Sequence, residues 1–147
     1  MSFLKIWVHY VFSTKGRQPF LSKEVRKKVF NHIQENCRQK EIYLIAINGY
    51  DDHIHCLISL GKEQSIANVA KMIKGESSRW INNEKILSNY FSWQDDYFAV
   101  SVSESQMEVV KRYIYNQESH HTKKTFDEEV ALFFKLYKWE KTLAKVE

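Results

Sequence analysis

The period at which apolar residues recur switches along this chain between two and about 3.6, and the order of the switches restricts the fold more than any single motif does. From Phe3 to Ser13, Ile6, Val8, Tyr10 and Phe12 alternate with Lys5, Trp7, His9 and Val11, the pattern of a strand. After a turn at Lys15-Gly16-Arg17-Gln18-Pro19, Val25, Val29 and Ile33, joined by Phe30 and Cys37, stand at helical spacing. This predicts a helix of about four turns ending near Lys40. Ile42 to Ile47, the turn-rich Asn48-Gly49-Tyr50-Asp51-Asp52 and the alternating His53 to Leu60 predict a hairpin closed by Gly61.

Ile66, Val69, Ala70, Ile73, Ser77, Trp80 and Ile81 then step by three and four, with Lys71, Lys74 and Arg79 elsewhere around a basic amphipathic helix. Phe91 to Ser103 contains the alternating Tyr97-Phe98-Ala99-Val100-Ser101-Val102, a fourth strand. Ser103 with Gln106, or Ser105 with Glu108, offers a capping box for a third helix reaching about Glu118, and Thr125 with Glu128 caps a Phe-rich fourth. The order β-α-β-β-α-β followed by helices is that of an α+β, ferredoxin-like (RRM-like) split βαβ domain, an antiparallel sheet with additional C-terminal helices. One domain over residues 1–147 is expected, because a chain of 147 residues is of ordinary size for one hydrophobic core.

Composition narrows the class of function. One Pro and four Gly exclude collagen-like or linker-rich architecture, and two cysteines are too few for a zinc ribbon or a disulfide scaffold. Lys and Arg outnumber Asp and Glu by 22 to 18, a net charge of +4 that favours an anionic partner such as nucleic acid. No apolar stretch approaches the roughly 20 residues that span a bilayer, so no membrane attachment is expected. The opening residues lack the pattern of a secretion signal, which makes the cytoplasm the expected compartment.

The sharpest chemical feature is His53-Ile54-His55. Residues i and i+2 of a strand project from one face, so two imidazoles can meet one cation. Ile54, Cys56 and Ile58 face the other way, which makes Cys56 a core residue and puts the histidines on the open side of the sheet. Two exposed histidines beside an acidic turn would look the same, so a further feature is needed. Tyr113 and Gln117 lie four apart on the third helix and are therefore neighbours on one face. A phenol and an amide oxygen there could reach the same phosphate. Lys71, Lys74 and Arg79 either follow a nucleic-acid backbone or are a solvated face. Trp93 and Tyr97 are either stacking platforms for unpaired bases or core. His9 is either a supporting group behind the site or exposed, and His120 and His121 either touch phosphate or are solvated at a helix end.

The combination of Val11-Phe12-Ser13-Thr14-Lys15, Asp52-His53-Ile54-His55, Trp93-Gln94, Ser101-Val102-Ser103, Tyr113-Ile114-Tyr115-Asn116-Gln117 and Thr125-Phe126 resembles the single-tyrosine HUH transposases of small insertion sequences, including their REP-associated relatives. The resemblance runs over nearly the whole chain. It implies that His53, His55 and Gln117 bind one divalent cation, Mg2+ or Mn2+, and that Tyr113 is the nucleophile. It further implies an endonuclease and transposase acting on single-stranded DNA with hairpins at the element ends, a homodimer, and a prokaryotic cytoplasm with association to the nucleoid. In several members each active site combines the histidines of one subunit with the tyrosine helix of the other.

The implied chemistry is physically coherent. A cation with open positions polarises the scissile phosphate, and a phenol of ordinary pKa near 10 needs that cation, or neighbours such as Lys111 and Arg112, to react as the phenolate. Tyr115 lies about 200° around the helix from Tyr113, so the two cannot both face the metal, and the spacing to Gln117 selects Tyr113. Met107, Val110 and Ile114 form a separate apolar stripe, the expected dimer interface. The competing readings are an RRM-like single-stranded nucleic-acid-binding module without catalysis, a domesticated repeat-processing HUH endonuclease, and a histidine phosphoesterase. The last fits poorly, because Leu57 stands where a histidine triad needs its third histidine.

Overall fold

Strand and helix segments follow the periodicities, and their limits are set by which residues find partners. In the computed structural model the described residues are 1–117 with Glu128, Glu129 and Ala131. The chain divides into a unit Met1–Gln117 and a unit Glu118–Glu147. In the second, Glu128, Glu129 and Ala131 are helical; the rest of the expected fourth helix, and His120 and His121, lie outside the described residues.

The first unit contains β1 (Trp7–Ser13), α1 (Lys23–Gln39), β2 (Tyr43–Tyr50), β3 (His53–Ser59), α2 (Ile66–Asn83), β4 (Phe98–Val102) and α3 (Met107–Tyr115). The sheet order is β2-β3-β1-β4 with every neighbouring pair antiparallel, the ferredoxin-like arrangement. Strand β1 begins at Trp7 rather than Phe3, because Trp7 already pairs with Ser59 and Val102, the last residues of the two strands beside it. Strand β2 runs on to Tyr50, so the turn is only Asp51-Asp52 and not the five residues expected. Gly49 makes that pairing possible: a Cβ there would press on the His53 carbonyl oxygen and lie 2.8 Å from Ile54 Cα.

Ser22 and Ser65 cap α1 and α2 by accepting from the backbone of Val25 and Asn68. The capping box expected before α3 does not form. Ser103 Oγ lies 3.2 Å from Ser105 Oγ instead, and a single 3-10 turn, Glu104–Gln106, leads into the helix. The segment 91–97 is not strand: Phe91 and Trp93 turn into the core, and only Thr14 bridges Trp93.

Helices α1 and α2 cover one face of the sheet, where Tyr10, Phe12, Ile54, Cys56 and Ile58 pack with Val29, Ile33, Val69 and Ile73. The opposite face is not open, as the sequence suggested. Helix α3 lies across β2 and β3, and Val110 and Ile114 close a smaller cluster on Ala46, Leu57 and Val102. The apolar stripe expected at a dimer interface is therefore buried against this chain's own sheet, with Met107 partly buried beside it.

Candidate active site

The β2–β3 turn is held from three directions before it reaches the first histidine. Arg26, buried on α1, donates from Nη1 to Asp51 Oδ1 at 3.1 Å and to the Leu21 carbonyl at 3.0 Å. The Leu21 backbone N–H donates to the Asp51 carbonyl, and the Thr14 N–H donates to that of Asp52, while the Thr14 hydroxyl donates to the Gln18 carbonyl at 2.8 Å. A turn tied down on both of its residues gives the strand that follows a fixed start.

His53, His55 and His9 project from the α3 side of the sheet and are all buried. His53 Nδ1 donates to Asp52 Oδ1 at 2.8 Å. An ionised carboxylate can only accept, so the Nδ1 position carries the proton and Nε2 keeps its lone pair in the neutral ring. That Nε2 lies 3.1 Å from Gln117 Oε1, while Gln117 Nε2 donates to the Tyr113 carbonyl at 3.3 Å and so turns the amide oxygen toward the imidazole. Two lone-pair atoms thus converge, an arrangement that a cation between them relieves. The spacing fits neighbouring donors about a small octahedral dication, about 3 Å apart.

His55 sits beside His53 with ring centroids 5.1 Å apart, and its Nδ1 is 2.8 Å from His9 Nε2. Tyr113 presents its ring edge-on, 5.6 Å from the His55 centroid and 6.4 Å from that of His9. Asn48 of β2 donates to the Tyr115 carbonyl at 3.1 Å, pinning the end of α3 to the strand beside the histidines. Tyr115 itself is exposed.

The structure thus brings His53, His55, Gln117, Tyr113 and His9 together within one chain. Within the single chain, α3 folds onto its own sheet, whereas the resemblance suggested a site shared between subunits. The residues expected at a DNA backbone are elsewhere. Lys71, Lys74 and Arg79 are on α2, across the sheet from the histidines, since both crossover helices pack on the other face. Lys74 donates to the Asp95 carbonyl at 2.7 Å and lies over the Tyr97 ring. Burial lowers its pKa, against the opposing pull of Asp95 and Asp96.

Trp93 is a core residue, not a stacking platform: its ring is buried between Phe12 and Phe91, and its indole N–H donates to Ser77 Oγ. Tyr97 packs on Tyr10 and Phe12. Lys111 pairs with Glu108, and the Arg112 guanidinium donates to the Glu108 carbonyl, both within α3. Burial pushes the Cys37 thiol up to about 12 and holds that of Cys56 well above its ordinary value, as expected of packing groups.

Sequence reasoning passed over the roles of Asp52 and Asn48. The signal for Asp52 was its place directly before a His-x-His pair at the mouth of a tight turn. Asn48 carried no signal, because its partner is a backbone carbonyl 67 residues away.

A family model described as "Transposase IS200 like" matches residues 2–117. The chain is 27% identical over 121 residues to the ISDra2 transposase TnpA of Deinococcus radiodurans, covering 78% of this chain and 84% of that protein. It is 29% identical over 70 residues to the transposase for insertion sequence element IS200 of Salmonella typhimurium, a match spanning 48% of this chain and 46% of that one. Among solved structures, a Deinococcus radiodurans R1 protein described as a transposase superposes with a TM-score of 0.64 at 25% identity, over 79% of this chain and 93% of that one. A REP-associated tyrosine transposase bound to a REP hairpin shares the fold, with a TM-score of 0.61 at 15% identity over 82% and 72% of the two chains.

Proposed function

This chain belongs to the IS200-like transposase family, and on that premise we propose that it is a metal-dependent transposase of single-stranded DNA, cutting and rejoining strands at hairpin-flanked element ends through a 5′-phosphotyrosine joint. The observation that carries this reading is the convergence of His53 Nε2 and Gln117 Oε1 at 3.1 Å with the Tyr113 ring alongside. His53, His55 and Gln117 would hold the cation. When bound, Mg2+ or Mn2+ would polarise the scissile phosphate and stabilise the charge of the in-line transition state.

Tyr113 is the nucleophile in this reading. Its phenolic oxygen gives up a proton and bonds to phosphorus, the bond from phosphorus to the 3′ oxygen breaks, and that oxygen takes up a proton to leave as a 3′-OH. The ester to tyrosine conserves the phosphodiester linkage, so a second 3′-OH can reverse the step and rejoin a strand without ATP. Holding both element ends in one particle calls for two such sites, which a twofold homodimer supplies. Hairpin recognition rests on the family resemblance and on the related fold that binds a REP hairpin. The setting proposed is the prokaryotic cytoplasm.

Incubation with labelled single-stranded DNA from the element flank and Mg2+ tests this directly. The expected result is a covalent protein–DNA band that needs the metal, disappears in Tyr113→Phe and survives in Tyr115→Phe. A band that survives in Tyr113→Phe and is lost in Tyr115→Phe would move the nucleophile two residues along. A folded protein that binds the strand without ever forming the band would favour the non-catalytic binding module.

A further inference from the structure

His9 is only 1% exposed on the middle of β1, and a polar side chain so deeply buried has to be hydrogen-bonded. The ladder explains what it meets. His55 pairs with Val11, and His9 stands two residues from Val11 on the same face, which makes it the diagonal neighbour of His55. The resulting contact, 2.8 Å from His9 Nε2 to His55 Nδ1, joins two rings that each carry one N–H when neutral. Only two arrangements are possible. If His9 donates, the His55 proton sits on Nε2 and that atom cannot bind a cation. If His55 donates from Nδ1, its Nε2 keeps a lone pair, as His53 Nε2 does.

The metal reading above requires the second arrangement, and on that reading we infer that His9 is a positioning residue: it accepts the Nδ1 proton of His55 and so fixes the tautomer and orientation in which His55 Nε2 is the ligand atom. His9 thus does for His55 what Asp52 does for His53. The two supports differ in kind for a physical reason. The Asp52 side chain is 21% exposed at the edge of the sheet, whereas a second carboxylate at the position of His9 would carry a full charge into the interior, away from water. A neutral imidazole accepts the same proton without that penalty. Such supporting hydrogen bonds typically change metal affinity by 10–100-fold, about 1.4–2.7 kcal/mol.

Imidazole 15N NMR of the wild-type protein without metal reads the tautomer directly, and the expected result is His55 protonated on Nδ1. Mn2+ titration followed by electron paramagnetic resonance then compares two variants. His9→Leu removes the acceptor and is expected to weaken Mn2+ binding by about 10–100-fold. His9→Gln, whose side-chain oxygen reaches about as far as Nε2, is expected to restore binding to within a few-fold. A wild-type His55 protonated on Nε2, or equal Mn2+ affinity in wild type and His9→Leu, would overturn the inference. Equal losses in the Leu and Gln variants would also overturn it, since packing alone would then account for His9. If wild-type protein binds no Mn2+, the metal reading fails, and the tautomer measurement still decides the part played by His9. If His9→Leu does not fold, the wild-type tautomer and the Gln variant carry the test.

Discussion

Along β3, Ile54, Cys56 and Ile58 turn toward α1 and α2 while His53, His55 and Leu57 turn toward α3, and every one of these residues is buried. The first face is an apolar core. Its embedded polar groups are few and locally answered: the Tyr10 hydroxyl donates to the Ile66 carbonyl, and the Trp93 indole donates to Ser77. The second face has a small apolar cluster at one end and, at the other, a chain of polar contacts from Asp52 through His53 to Gln117 and from His9 to His55. Equal burial therefore hides opposite roles. One set is held by apolar packing with a few locally satisfied polar groups; the other is ordered by polar contacts between its own side chains.

The largest effect that could break this comparison concerns whether the polar face is complete in one chain. Tyr113→Phe and His53→Ala proteins, mixed so that heterodimers form, are expected to give no covalent DNA adduct if the site is built from one chain's histidines and that same chain's tyrosine. Partial recovery of the band, from the one intact composite site in each heterodimer, would show that α3 exchanges between subunits. The contrast would then belong to the assembly and not to the single fold.

The next effect separates stability from ligand binding. Ile54→Ala is expected to lower unfolding free energy by roughly 2–5 kcal/mol in a urea titration, as deletion of a fully buried aliphatic group does. It should leave Mn2+ affinity of the folded protein within a few-fold. His55→Ala is expected to show the reverse order, a loss of Mn2+ binding larger than its loss of stability. Equal ΔΔG values with unchanged Mn2+ binding in both would erase the distinction between the faces.

A smaller effect sharpens the character of the apolar face. Because burial raises the thiol pKa of Cys37 to about 12 from the ordinary 9.0, the unfolded chain loses this proton before the folded one does. The contribution to stability is fully present below pH 9.0 and is lost as the pH rises toward 12. Cys37→Ala should flatten that part of the stability curve, and iodoacetamide at pH 8 should label Cys37 and Cys56 far more slowly in the folded than in the unfolded protein. Rapid labelling of either thiol under native conditions would mean that this face opens to solvent.

Period-two alternation in β1 and β3 already separated Tyr10, Phe12, Ile54 and Cys56 from His9, His53 and His55, and i, i+4 spacing already placed Tyr113 with Gln117. These are local relations, fixed by the geometry of a strand or a helix whatever surrounds it. The order of periodicities was enough to reach the ferredoxin-like sheet, since few arrangements satisfy β-α-β-β-α-β with short connections. The short Asp51-Asp52 turn was less legible, because it depends on Gly49 passing close to the backbone of β3.

Tertiary structure alone decided what covers the histidines. Nothing local distinguishes a stripe of Met107, Val110 and Ile114 that meets a second subunit from one that packs on Ala46 and Leu57 of the same chain, for the hydrophobic effect is not directional and rewards either burial. Nor could local pattern tell whether Trp93 stacks on a base or fills the core, or that α2 would carry Lys71, Lys74 and Arg79 to the side away from the site. The hydrogen bond between His9 and His55 and the one between Asn48 and the Tyr115 carbonyl join residues 46 and 67 positions apart. Contacts at such separations exist only once the sheet register and the docking of α3 have fixed both ends.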